Sequence, residues 1–276
     1  MTRPLITGAA RVGGIAGQPV TRSLSPVIHN AWIAAAGMDA AYVPFAPVDA
    51  AGFEALVVAG RAGMLAGINV TAPFKEQAFA LADSASATAR SSGSANILVF
   101  QDGAVAADSV DGEGMLLALS DQAPMLDLDG ARVVLLGAGG AARAAAAGLA
   151  GAGADVRIVN RTRSRAEALA ADLGGTVRAA GVGEGFGDAR LVINALSVTP
   201  ELDPSQLAPG TVVMDMTYRP VVTPFLHAAR ACGLPTVDGL AMLIGQAGPS
   251  FRAIFGAEPP PLDPRPMLLA HLGEAG

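Results

Sequence analysis

The sequence predicts an α/β protein of two domains, and three observations carry that prediction. Runs of apolar and β-branched residues bounded by Gly, Pro or Asp recur with Ala- and Leu-rich stretches between them, the pattern of strands and crossover helices around a mainly parallel sheet. The alternation occurs twice, with a second start after Pro124. At 276 residues the chain is long enough for two domains of ordinary size, each with its own core.

Along the first alternation, strands are expected near Gly14 to Gly17, Ala41 to Phe45, Gly67 to Val70 and Asn96 to Val99, and helices over Pro26 to Ala36 and Phe74 to Asp83. Asp102-Gly103 is a turn signal between two short extended runs, so Ile97 to Ala107 reads as a hairpin. In the second, Arg132 to Leu136 is a hydrophobic strand, a glycine turn follows, and Ala141 to Ala150 is an Ala-rich helix. Further strands fit Asp155 to Val159, Leu191 to Asn194 and Thr211 to Asp215, and the glycine-rich Gly181 to Gly187 reads as a loop. From Gly239 the chain reads as helical until Pro259-Pro260-Pro261 breaks it, and a last helix fits Pro266 to Leu272. These limits give domains over residues 1–112 and 113–238, with helices over 239–276 packing back on the first.

Composition narrows the function. No uninterrupted apolar run reaches the ~18 residues a spanning helix needs, so a soluble protein without a membrane partner is expected. Met1 to Gly17 carries Arg3 and Arg11 and no cleavage signal, which predicts no secretory peptide and a cytoplasmic location. A net charge of −6 without a basic tract argues against nucleic acid and leaves small molecules as partners. Cys232 is the single cysteine, expected to be a small buried thiol; with His29, His227 and His271 far apart, no metal is expected.

Lys75 is the only lysine beside seventeen arginines, in Gly67-Ile68-Asn69-Val70-Thr71-Ala72-Pro73-Phe74-Lys75. An ammonium can release its proton when neighbours tune it, whereas a guanidinium stays charged. That difference marks Lys75 as the first catalytic suspect.

Gly137-Ala138-Gly139-Gly140-Ala141-Ala142-Arg143 follows a buried strand and opens a helix. Glycines there allow a tight turn and a close approach of the backbone to a pyrophosphate, whose charge meets the N–H groups of the helix N-terminus. About twenty residues on, where an NAD site carries an acidic residue, stands Asn160-Arg161-Thr162-Arg163-Ser164-Arg165. Three arginines would attract a 2′-phosphate and bind it in bidentate fashion, so NADP is the expected cofactor, with Arg161 ahead of Arg163 and Arg165.

Several segments together resemble the shikimate dehydrogenase family, in the right order from about Gly14 to Phe251. They are Ser23-Leu24-Ser25-Pro26 with His29-Asn30, Asn69-Val70-Thr71 through Pro73 to Lys75, Gly93-Ser94-Ala95-Asn96, and Asp111 with Gly114. Further on come Asn160-Arg161-Thr162, Asn194-Ala195 with Ser197, Asp215 with Tyr218 and Pro220, Thr223 with Phe225-Leu226, and Gly239 through Met242-Leu243 to Gln246. The resemblance implies an N-terminal substrate domain, a Rossmann-type NADP domain, and reversible hydride transfer between NADPH and carbon 3 of 3-dehydroshikimate in a cleft between them. It also implies a substrate carboxylate at Ser23 and Ser25, ring hydroxyls at Asn69, Thr71, Asn96, Asp111 and Gln246, and a pocket completed by Lys75 and Tyr218. Lys75 and Asp111 would form the proton-transfer dyad, and Met216 and Gly239 would lie on the cofactor side.

The chain departs from the family pattern at Arg22 for His, at Ser109-Val110 for Asn-Thr, at Ile97 and Leu196 for Thr, and at Thr199-Pro200 for a Gly-Met pair near the nicotinamide. A relative acting on quinate or a similar polyol is the rival enzyme reading. A nucleotide sensor without turnover is the rival of another class, and the presence of both Lys75 and Asp111 argues against it. The sequence leaves a monomer and a homodimer equally open.

Overall fold

In the computed structural model, which describes residues 6–274, the chain divides into two compact units. One comprises the chain up to Val110 together with the segment from Gln246 onward, and the other runs from Asp111 to Gly245. Residues 1–5 and 275–276 lie outside the described part, and with them Arg3 of the N-terminal reading.

The first unit holds β1 (Arg11–Ala16), α1 (Ser25–Ala35), β2 (Ala40–Phe45), α2 (Ala50–Arg61), β3 (Gly67–Val70), α3 (Lys75–Ala80), β4 (Ser84–Ala85), α4 (Ala87–Ser92), β5 (Ile97–Gln101) and β6 (Ala104–Asp108). Its sheet has the order β2-β1-β3-β5-β6-β4. The pairs β1–β2, β1–β3 and β4–β6 are parallel, and β3–β5 and β5–β6 antiparallel. The antiparallel part follows from the predicted hairpin, in which Asp102 and Gly103 both take the positive φ that a tight two-residue turn requires. Ile68, Val70, Leu98 and Val105 of the sheet pack with Phe53 and Val57 of α2 and with Phe74 and Ala78 around α3.

Two local expectations change here. The sequence places no helix over α2, yet Asp49 caps it by accepting from Gly52 N at 2.8 Å. The helix expected to reach Asp83 stops at Ala80, because the next residues are drawn to β6. Asp83 donates its N–H to Val105 O, accepts from Val105 N at 2.7 Å, and is gripped by Arg61. Tertiary pairing here overrides an Ala-rich helical pattern.

The second unit holds α5 (Asp111–Gln122), β7 (Arg132–Leu136), α6 (Gly140–Gly151), β8 (Asp155–Val159), α7 (Arg163–Leu173), β9 (Val177–Ala179), β10 (Leu191–Asn194), a 3-10 turn at Pro204–Gln206, β11 (Val212–Asp215), α8 (Pro224–Ala231) and β12 (Thr236–Val237). The helix α9 (Gly239–Phe255) begins in this unit and ends in the first, which also carries α10 (Arg265–Leu272). All six strands are parallel in the order β9-β8-β7-β10-β11-β12. Numbered along this unit the order is 3-2-1-4-5-6, that of a doubly wound dinucleotide fold.

Strand alternation sorts the side chains onto the two faces of this sheet. Val133 and Leu135 join the core formed by Met115 of α5 and Ala142, Ala145 and Leu149 of α6, whereas Val134 and Leu136 join that of Phe225, Leu226 and Ala229 of α8. Helices α5 and α6 approach backbone to backbone: a Cβ on Gly112 would stand 2.8 Å from Ala144 O, and one on Gly148 3.3 Å from Gly112 Cα. Cys232, expected to be buried, is exposed, since it is the C-cap of α8 ahead of a glycine turn. Among the described residues no helix is long and apolar enough to cross a membrane.

Candidate functional site

In the first unit the end of β3 meets the start of β5, and the amide residues expected there are joined. Asn69 Nδ2 donates to the carbonyl of Asn96 at 3.2 Å and to Ser250 Oγ on α9 at 2.8 Å. Its Oδ1 accepts from Tyr42 Oη at 2.7 Å. Asn96 Nδ2 donates to Gln246 Oε1 at 3.2 Å, and Asn96 Oδ1 accepts from Val110 N at 2.9 Å. Asn69, Asn96 and Ser250 are all buried, so these bonds replace water that the groups would otherwise need. The departure at Val110 leaves the last of them intact, because it comes from the backbone. Ile97 is fully buried in β5, an apolar place where a threonine hydroxyl would need its own partner.

Lys75 opens α3, and its carbonyl accepts from Ala95 N at 2.9 Å, which sets the lysine beside the Gly93–Asn96 block. Thr71 N donates to Ala16 O at 2.9 Å at the end of the neighbouring strand β1. Gly17 admits this approach, since a Cβ there would stand 2.2 Å from Thr71 Cγ2. The serines lie at the start of α1. Leu24 takes the N-cap position without a side-chain bond, and among the described residues Ser23 Oγ accepts only from Ser25 N at 3.3 Å. Neither serine caps α1 with its side chain. Ser25 is buried.

Asp111 is buried at the first position of α5, and Tyr218 follows β11, both in the second unit. Around Tyr218 the chain is held by Asp215, a buried carboxylate that accepts from Asn194 Nδ2 at 3.2 Å, Thr217 N at 3.0 Å and Thr223 Oγ1 at 2.7 Å. Asn194 in turn accepts from Leu196 N, tying the loop after β10 to that after β11. Met216 and Gly239 come together as well, with Gly239 so near that a Cβ would meet Met216 O at 2.5 Å.

The glycine turn joins β7 to α6 beside β10, where the strand order reverses and where doubly wound sheets bind nucleotides. Gly137 has φ +116°, open to glycine and costly for other residues. Gly139 is the N-cap and Gly140 the first residue of α6; both are exposed, and a Cβ on either would meet nothing within 4 Å. Bare backbone N–H groups at a helix N-terminus suit a pyrophosphate, and Ala138 and Ala141 keep the turn small.

Next to this turn lies a cavity of about 530 Å³ lined by residues that include Asn160, Arg161, Thr162, Arg165, Leu196 and Thr199. Asn160 Nδ2 donates to Thr162 O at 2.8 Å and shapes the loop. Arg163 and Ser164 are not among the lining residues, and Arg163 Nε is paired with Glu167 Oε1 at 2.8 Å on the exposed side of α7. The sequence ranks Arg163 and Arg165 together; the cavity separates them. Thr199 and Pro200 line this cavity with the arginines. The residues present fit NADP, with two guanidinium groups at one concave wall and a bare helix start beside it.

Tyr42 and Ser250 are polar members of the site that the sequence reading does not single out. Their only local signal is a hydroxyl inside a mostly apolar strand or helix.

Comparison with known proteins gives the family. A model described as the shikimate dehydrogenase substrate binding domain matches residues 15–98, and one described as shikimate/quinate 5-dehydrogenase matches residues 118–198. A protein of Caulobacter vibrioides named shikimate dehydrogenase (NADP(+)) is 52% identical over 281 residues, covering 98% of each chain. One of the same name from Maricaulis maris is 44% identical, covering 97% of this chain and 98% of its own. The crystal structure of shikimate 5-dehydrogenase from Thermus thermophilus in complex with NADP(H) and shikimate superposes with a TM-score of 0.83 at 33% identity, covering 93% of this chain and 97% of that one.

Proposed function

Because the chain belongs to the shikimate dehydrogenase family, we propose that it catalyses the reversible NADP-dependent interconversion of 3-dehydroshikimate and shikimate, a step of aromatic amino-acid biosynthesis. The observation that carries the reading is the connected cluster of Asn69, Asn96 and Gln246 beside the only lysine of the chain. A polyhydroxylated ring needs dense donors and acceptors, and an analogue lacking a hydroxyl leaves one of them unpaired.

Most of the substrate's partners come from the first unit, and NADP belongs to the second. Ser23 and Ser25 receive the carboxylate, and Asn69, Thr71, Asn96, Asp111, Tyr218 and Gln246 surround the ring. Arg161 and Arg165 hold the 2′-phosphate, while the turn Gly137 to Ala141 cradles the pyrophosphate. Asn160, Thr162 and Ser164 shape the arginine loop, and Met216 and Gly239 adjoin the cofactor. Bound NADPH supplies the hydride. Lys75 delivers the proton to the carbonyl oxygen as carbon 3 is reduced and removes it in the other direction; the Asp111 carboxylate orients the ammonium. The protein works in the cytoplasm as a monomer or homodimer, and its charge of −6 keeps it off nucleic acid.

The test is reduction of NADP with shikimate, followed by absorbance of the reduced nicotinamide, with quinate and NAD as alternatives. Shikimate with NADP should be the preferred pair. Absence of shikimate-dependent turnover, or a preference for quinate, would overturn the assignment.

A further inference from the structure

We propose that Tyr42 is a positioning residue for substrate: it fixes the Asn69 amide so that this side chain offers a ligand an acceptor alone, and therefore reads a hydroxyl that donates. The proposal rests on the assignment of Asn69 to the substrate made above. An amide side chain carries two donor hydrogens and two acceptor lone pairs. Both hydrogens of Asn69 are committed, one to Ser250 Oγ at 2.8 Å and one to the Asn96 carbonyl at 3.2 Å. That carbonyl decides which end of the amide is nitrogen, since the reversed amide would set two oxygens against each other. Tyr42 Oη then donates to Oδ1 at 2.7 Å, and one lone pair of that oxygen remains.

A ketone or an ether has no hydrogen to give to that lone pair. Asn69 is thus unsuited to the carbonyl that is reduced and suited to a ring hydroxyl that passes through the reaction unchanged. Loss of the Tyr42 hydroxyl would leave Oδ1 unheld and loosen the amide about the two bonds its nitrogen still makes.

Tyr42 is itself held by two residues of α1. His29 stacks on its ring with centroids 4.1 Å apart and planes within 4°. Asn30 brackets its backbone, accepting from Tyr42 N at 3.0 Å and donating to Tyr42 O at 2.7 Å. Burial pushes the phenol pKa well up, which keeps Tyr42 a donor. The His29-Asn30 pair that follows the serines is thereby accounted for by one tyrosine.

The test is steady-state kinetics with shikimate and NADP on the wild type, Tyr42→Phe, Asn69→Ala and the double variant. Tyr42→Phe keeps the ring against His29 and removes only the hydroxyl. Its KM for shikimate should rise about three- to tenfold, the worth of one hydrogen bond, with kcat and the KM for NADP near wild type. The double variant should be no worse than Asn69→Ala alone. A shikimate KM unchanged in Tyr42→Phe, or losses that multiply in the double variant, overturns the proposal alone. A wild type without shikimate turnover overturns the functional reading and this proposal with it. If thermal unfolding shows that Tyr42→Phe does not fold, Ser250→Ala removes the acceptor at the other end of the amide. The same selective rise in shikimate KM is then expected, and an unchanged value sinks the idea.

Discussion

His29 makes the first unit sensitive to acid, and one substitution should remove that sensitivity. The imidazole is 1% exposed, stacked on Tyr42 with Trp32 and Phe251 around it at 5.9 Å, and its Nδ1 has no hydrogen-bond partner among the described residues. Burial lowers its pKa from 6.5 to about 3. The unfolded chain takes up a proton below pH 6.5 that the folded chain refuses, so the contribution is complete above that pH and is lost as pH falls. The two titrations together give a loss of about 2 kcal/mol at about pH 5, approaching 3 kcal/mol or more near pH 4. Asp39, Asp83 and Asp203 have pKa values lowered from 3.8 by hydrogen bonds to Thr7, Arg61 and Ser205, so what they add is lost only at more acid pH. Trp32, the only tryptophan, sits against His29 and reports on this region by its fluorescence. Denaturant unfolding followed at Trp32 between about pH 7.5 and about pH 5 should show the wild type losing about 2 kcal/mol more than His29→Phe. Phenylalanine keeps a ring over Tyr42 and takes no proton. Parallel pH dependences for the two proteins would refute the reasoning.

Three other outcomes are expected. Arg161→Ala should weaken NADP binding by ~1.5–3 kcal/mol, roughly ten- to a hundredfold, and NAD binding far less. Arg165→Ala should do so to a smaller degree, Arg163→Ala hardly at all, and equal losses for both cofactors in a binding titration would contradict the 2′-phosphate assignment. Lys75→Ala should lower kcat by roughly two to four orders of magnitude, and Lys75→Arg nearly as much, because the guanidinium does not release its proton; a substantially active arginine variant would leave Lys75 with an electrostatic role only. Gly112→Ala should cost about 1–3 kcal/mol of stability, since the new methyl would stand 2.8 Å from Ala144 O, and an unchanged melting temperature would show that α5 and α6 can part freely.

The sequence by itself determined the strands β7, β8 and β10 to the residue, because each is a fully apolar or alternating run closed by Gly, Asp or Asn. It also determined the glycine turn, the arginine loop and the motif around Lys75, where chemistry demands particular residue types within a few positions of one another. Other elements were decided by tertiary structure. The helix α7 has too few apolar positions to announce itself, α5 starts on an Asp-Gly pair that also reads as a turn, and the end of α3 yields to pairing with β6. The site divides in the same way. That Arg165 and not Arg163 lines the cavity depends on where a helix turns its faces. The Asn69 partners Tyr42 and Ser250 lie 27 and 181 residues away along the chain. Local patterns record periodic burial and capping, whereas the pairing of distant polar groups exists only once sheet order and helix docking have brought them within about 3 Å.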